Sequence, residues 1–195
     1  MRRTPAARLG TALAAAALLL AGCADDGEPR SDPTWSPTAV PESPSTTPAD
    51  AATKPALPDA ATKATKAGAE AFIQYYWDVA NYAQATGHVH QLRAVTAKTC
   101  APCLGVASDI RRHYEHGGTI EGGANAPAVH SLTKLSSDTG TLFAFQAKVA
   151  VAHGPQEIHQ PDGSVREQKA GTNHFTMYVA WVQDRRWRLE HMELK

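Results

Sequence analysis

Cys100-Ala-Pro-Cys103 sets two thiols three residues apart with a proline between them. That spacing serves dithiol exchange, a metal clip or a local staple. A cysteine at a helix N-terminus has a lowered pKa and attacks disulfides well. Exchange proteins, however, run a buried central strand straight into the first cysteine, and the preceding HVHQLRAVTAKTC carries only scattered apolar residues with no β-α-β context ahead of it. Two thiolates alone do not complete a tetrahedral zinc site. A structural disulfide between Cys100 and Cys103 is the expectation, with thiol-disulfide exchange as the alternative.

The remaining reactive side chains form no catalytic signature. Nine histidines include His88 and His90 in a polar stretch after Gly87, and His113 and His116 on the polar side of a helical pattern, so no metal site is expected. Gln74, Asp78 and Asn81 recur at i, i+4 and i+7, with Tyr75 and Tyr82 to either side of Asp78. A carboxylate beside phenols acts as a base or hydrogen-bond partner when burial raises its pKa, so Tyr75, Asp78 and Tyr82 are candidate pocket residues. The Gly-rich HGGTIEGGANAP, with Glu121 at its centre, lacks the Lys-Ser/Thr of a phosphate loop and reads as a turn-forming loop. No nucleophile elbow, paired acidic motif or dinucleotide fingerprint is present, and no cofactor is expected.

Export explains the cysteine count. Arg2, Arg3 and Arg8 precede an apolar run from Leu9 to Gly22, the layout of a signal peptide over residues 1–22 and too short for the roughly 20 residues that a spanning helix needs. Leu20-Ala21-Gly22-Cys23 resembles the lipobox of bacterial lipoproteins, which implies a lipidated Cys23 as the mature N-terminus, the membrane as partner through that anchor, and an extracytoplasmic location. Of three cysteines, lipidation removes one and leaves one pair, which an oxidising compartment turns into a disulfide. Formal net charge is zero and 19% of residues are charged, so nothing points to nucleic acid.

The elements that must position these residues follow from composition and period. Eight of the 13 prolines lie between Pro29 and Pro58 among Ser, Thr, Ala and Asp. Such a segment cannot bury enough apolar surface to offset its ordering entropy, so residues 23–65 read as a disordered tether in which Trp35 is an isolated ring. The two copies of AATK, at 51 and 60, are low complexity. One domain is expected over 66–195. Phe72, Tyr76, Val79 and Ala83 at helical spacing, beside Ile73, Trp77 and Ala80, predict a largely buried helix over 68–86 that Gly87 stops. Leu104, Ala107, Ile110 and Tyr114 predict a second helix over 103–116, with Pro102 in its first turn. From Ala128 the period becomes two: Phe143, Phe145, Ala147, Val149 and Val151 alternate, as do Phe175, Met177, Val179 and Trp181, then Trp187 and Leu189, with turns at SSDTG, PDG and QDRR. Helices first and antiparallel strands later make an α+β domain with N-terminal helices packed on the sheet.

That order, closing on FTMYVAWVQDRRWRLEHMEL, resembles the nuclear transport factor 2-like cone shared with ketosteroid isomerases, which implies a curved antiparallel sheet closing on the long first helix. More narrowly, GAEAFIQYYWDVANYAQATG, TCAPC and HGGTIEGG are similar to a family of uncharacterised actinobacterial lipoproteins, a domain of unknown function. The resemblance covers about residues 60–195, implies a compartment and a fold, and carries no activity. The apolar interior from Phe143, Phe145, Met177, Trp181 and Trp187 is either plain core or a pocket for a small apolar ligand or an envelope protein partner. The expected role is a non-catalytic binding or accessory module; an enzyme on a ketosteroid-isomerase-like scaffold would instead need an acid or base inside the cone.

Overall fold

The computed structural model describes residues 52–136 and 142–195. The expected signal peptide, Cys23, Trp35, nearly all of the Pro-rich part of the tether and most of the SSDTG turn lie outside the described residues. Among the described residues three α-helices precede seven strands: α1 Lys66–Thr86, α2 His90–Ala94, α3 Ala101–Glu115, then β1 Thr119–Gly122, β2 Asn125–Leu135, β3 Phe143–His153, β4 Gln156–His159, β5 Val165–Gln168, β6 Gly171–Val182 and β7 Arg186–Leu194. The class is α+β, with few helices on two antiparallel sheets. One sheet has four strands in the order β2-β3-β6-β7, the other three in the order β1-β4-β5.

Helix α1 starts and stops where local chemistry dictates. The Thr65 hydroxyl accepts from the Gly68 N–H at 2.9 Å, satisfying one of the donors that a helix leaves open at its first turn. Gly87 ends it with φ at 74°, a left-handed cap that glycine adopts without strain. A Cβ there would also lie 2.6 Å from Tyr114 Cγ. Nine positions of α1 are buried, Phe72, Ile73, Tyr76 and Val79 among them, as the helical period predicts.

The alternation read from the strands sorts side chains to two faces. Ladder partners Phe145 and Val179, Ala147 and Met177, and Val149 and Phe175 share the face that meets α1, where Trp77 lies 5.3 Å from Phe175 between ring centroids. At the other end of the same face Trp187 is 2% exposed, ringed by Phe72, Phe143, Phe145 and Trp181 with centroids between 5.5 and 6.5 Å away. Strand β7 is the sheet's edge, and residues 95–97 run along it: the Ala97 N–H donates to the Leu189 carbonyl at 2.8 Å and the Leu189 N–H to the Val95 carbonyl at 2.9 Å. This covers part of an edge that would otherwise present unpaired backbone.

Four features depart from expectation. The folded part begins before Lys66: a 3-10 turn over Asp59–Thr62 packs on α1 and β7, Ala61 is 1% exposed, and the Trp187 indole donates to the Lys63 carbonyl at 3.0 Å. Hence the tether reading fails for residues 59–65, because one small side chain, Ala61, and the Lys63 backbone carbonyl make the contact rather than large apolar residues. Residues 90–94 form α2, seated by Val89 and Leu92. HGGTIEGGANAP is not one loop, since it holds β1 and the start of β2. β1, β4 and β5 also build a second sheet that the sequence did not announce.

Truncating Trp187 to Ala removes the largest group at the meeting point of α1, β3, β6 and the 59–65 segment. Urea unfolding should show a loss of about 3–5 kcal/mol, the range for deleting a buried aromatic side chain. A loss below about 1 kcal/mol would mean that the ring is peripheral.

Candidate functional site

The eight candidate pocket residues fall into three places. Phe145, Met177 and Trp187 are buried, and Phe143 and Trp181 are half-buried against them, so these five fill the interior. Tyr75 is also buried: its hydroxyl accepts from Gln91 Nε2, which donates as well to the Pro55 carbonyl at 3.0 Å. Asp78 and Tyr82 lie outside, in a groove of about 290 Å³ between α1 and residues 52–55. Asn81, which shares that groove, is committed to structure: its Oδ1 accepts from the Asn125 N–H at 2.8 Å and its Nδ2 donates to the Asn125 carbonyl at 2.9 Å, fastening α1 to β2. Gln74 Nε2 reaches Asp78 at 3.4 Å, and the Tyr82 hydroxyl stands 3.3 Å from His88 Nδ1. The polar stripe Gln74, Asp78 and Asn81 thus stays on the outer side of α1, while of its two flanking tyrosines Tyr75 is buried and Tyr82 is half-buried in the groove.

Groups whose ionisation is displaced are not arranged for acid-base work. Burial pushes the Tyr76 phenol up to about 12, with a hydrogen bond to the Thr96 side chain pulling weakly the other way. Tyr114 is raised, again by burial. The exposed carboxyls of Asp162 and Glu193 move down, held by hydrogen bonds from Ser164 and Lys195 respectively. Among the described residues no group of three or more His, Cys, Asp or Glu side chains could hold a metal ion.

Cys100 and Cys103 are disulfide-bonded, with Cα atoms 5.3 Å apart. Cys100 caps α3 and Pro102 sits in the first turn, as the motif predicts. The two residues are 1% and 3% exposed, so neither sulfur is presented to an exchange partner. The Cys100 N–H also donates to the Ala97 carbonyl at 3.0 Å, tying the staple to the segment that lines β7.

Two surface features went unforeseen. A cleft of about 770 Å³ opens between α3 and the three-stranded sheet, floored by Ile110, Ile120 and Ile158 and edged by Arg112, His116 and Arg166. His113, half-buried, and His116, exposed, stand on the polar side of α3 as expected and also line this cleft. The sequence signal was slight: two isoleucines, one in each of two four-residue strands. On the far side of the four-stranded sheet, Leu135, Ala144, Tyr178 and Ala180 line a shallower apolar groove of about 410 Å³. The alternation hid it, because small alanines there look like outward positions.

The arrangement defines an α+β domain whose interior is packed and whose concavities lie on the surface. The chain belongs to the family of unknown function DUF6318, whose model matches residues 42–193. No curated protein matches it. Among solved structures it is similar to the intermembrane space region of the chloroplast protein ARC6, with a TM-score of 0.50 and 13% identity over 65% of this chain and 93% of that one. At that identity the likeness speaks for the fold alone.

Two outcomes test the electrostatics and the staple. Because the folded Tyr76 holds its proton to about pH 12 while the unfolded phenol loses it near 10, stability should be constant in this respect below pH 10 and fall between pH 10 and 12. Tyr76→Phe should flatten that part of the pH-stability curve measured by urea titration. Replacing both Cys100 and Cys103 by Ala should lower stability by about 2 kcal/mol, the chain-entropy value for so short a loop, and the wild-type bond should persist in mild reductant.

Proposed function

We propose that the chain is a lipoprotein anchored through Cys23 to the extracytoplasmic face of the cell membrane, and that its domain is a non-catalytic binding or accessory module of the nuclear transport factor 2-like type. The observation that carries this reading is the filled interior: Phe143, Phe145, Met177, Trp181 and Trp187 pack on one another and on Phe72 where an enzyme of that scaffold would keep its substrate. An enzyme on such a scaffold would need an acid or base inside, whereas Asp78 is half-buried in a groove outside the packed interior. In favour of the fold type are the long α1 laid across a four-stranded antiparallel sheet and the order of helices before hairpins.

Support for the compartment comes from the run Arg2 to Gly22 closing on Cys23, together with the paired state of Cys100 and Cys103. Among the described residues no helix is long and apolar enough to cross a membrane. On this reading the partner is the membrane through the acyl chains, each buried methylene contributing about 0.8 kcal/mol, plus an envelope protein that meets the domain's surface. The zero net charge gives no grip on nucleic acid.

Growing cells with an alkynyl palmitate and expressing the full chain should label it, and Cys23→Ser should abolish the label while leaving the chain exported. Protease added to intact spheroplasts should degrade the labelled chain. Equal labelling of both forms, or protection from protease, would overturn the proposal.

A further inference from the structure

The cleft between α3 and the three-stranded sheet has a definite chemical pattern. In the sheet, Ile120, Ile158 and Arg166 are direct ladder partners and so form one row across β1, β4 and β5. All three line the cleft, which means the row faces α3. Across from it α3 presents Ile110, flanked by Val106, which is 54% exposed, and by Arg112 and His113. The result is an aliphatic floor that passes directly into a guanidinium.

The charge in this cleft is unbalanced. Asp109, the one acid lining it, is held by Arg112 in an i, i+3 pair. Arg166 is exposed and has no ion-pair partner among the described residues. Its outward neighbours Glu157 and Glu167 stand on the opposite face, since they occupy the adjacent row of the ladder. A guanidinium beside apolar surface, left without a carboxylate, is a site for an anionic group that it can meet with two parallel hydrogen bonds.

We propose that this cleft seats an extended segment of a partner protein that carries an aliphatic side chain and a carboxylate two residues apart. The proposal deepens the reading of the domain as a binding module and rests on it. Spacing supports the pattern: neighbouring strands are about 4.8 Å apart, and residues i and i+2 of an extended chain are about 6.7 Å apart on one face. An aliphatic group over Ile120 and Ile158 therefore places the next carboxylate on the same face within reach of the long Arg166 side chain. Polar groups lie along both walls, with His113 and His116 on α3 and Gln160 and Gln168 on the β4–β5 hairpin. Imidazoles on one wall and carboxamides on the other suit the alternating N–H and C=O groups of a peptide. A single-headed lipid would call for cations at one end and an enclosed apolar channel.

The full chain in phosphatidylcholine nanodiscs, with isoleucine methyls carbon-13-labelled, would be titrated with the blocked pentapeptide Gly-Leu-Ser-Glu-Gly. Saturable shifts are expected at Ile110, Ile120 and Ile158. Arg166→Glu, at an exposed position, should keep the unliganded methyl spectrum, weaken this peptide about tenfold, and bind the Gly-Leu-Ser-Lys-Gly peptide more tightly than the wild-type chain does. Absence of saturable shifts, equal binding of the Lys peptide to the wild type, or the same methyl shifts on adding phosphatidylglycerol without peptide would each overturn the proposal. Loss of peptide binding with palmitate labelling of Cys23 intact would remove the cleft assignment alone. Loss of labelling with binding intact would remove the anchor alone.

Discussion

The packing of Trp187 is the constraint on which the rest depends. Its ring sits among Phe72 of α1, Phe143 and Phe145 of β3 and Trp181 of β6, and its indole N–H reaches the Lys63 carbonyl at 3.0 Å. Each aromatic pair contributes about 0.5–1.5 kcal/mol beyond the area it buries. The single hydrogen bond matters for a different reason: a buried indole N–H without an acceptor would cost about 1–3 kcal/mol. That requirement draws residues 59–65 onto the domain. Gly68 permits the approach, since a Cβ there would stand 2.1 Å from the Lys63 carbonyl oxygen.

A second set of contacts protects the sheet's edge. Leu189, fully buried on β7, exchanges backbone hydrogen bonds with Val95 and Ala97, and Cys100 in turn bonds to Ala97. The disulfide at the start of α3 therefore holds the end of a segment that would otherwise leave the edge strand open. It acts locally, as its short loop implies, yet it acts where the helical layer meets the sheet. With the interior filled and the edge partly covered, the concavities lie on the surface, and in the α3 cleft Arg166 has no ion-pair partner among the described residues.

Legibility in the sequence followed the strength of the local signal. α1 was readable because Phe72, Tyr76, Val79 and Ala83 keep the helical period up to Gly87, and β3 and β6 because their large residues alternate without interruption. α2 was hidden by its length, with Leu92 as its one buried residue. The 3-10 turn was hidden because its burial depends on Trp187, 124 residues from Lys63. β1 and β4 carry one isoleucine each, too few to show a period. Within the candidate site, Asp78 and Tyr82, one helical turn apart, line the same groove. Tyr75 does not, because what covers it comes from Gln91 and Pro55, two segments that composition marks as polar loop and tether.

The account's central claim is that the interior is packed side chain and not a binding cavity. Intact-mass measurement of the full chain purified from membranes, under native and then denaturing conditions, tests it most directly. Agreement of the two masses, each two protons below the fully reduced value, is the predicted result. A native mass larger by a discrete small molecule that denaturation releases, with Trp187 fluorescence changing on its loss, would contradict the claim.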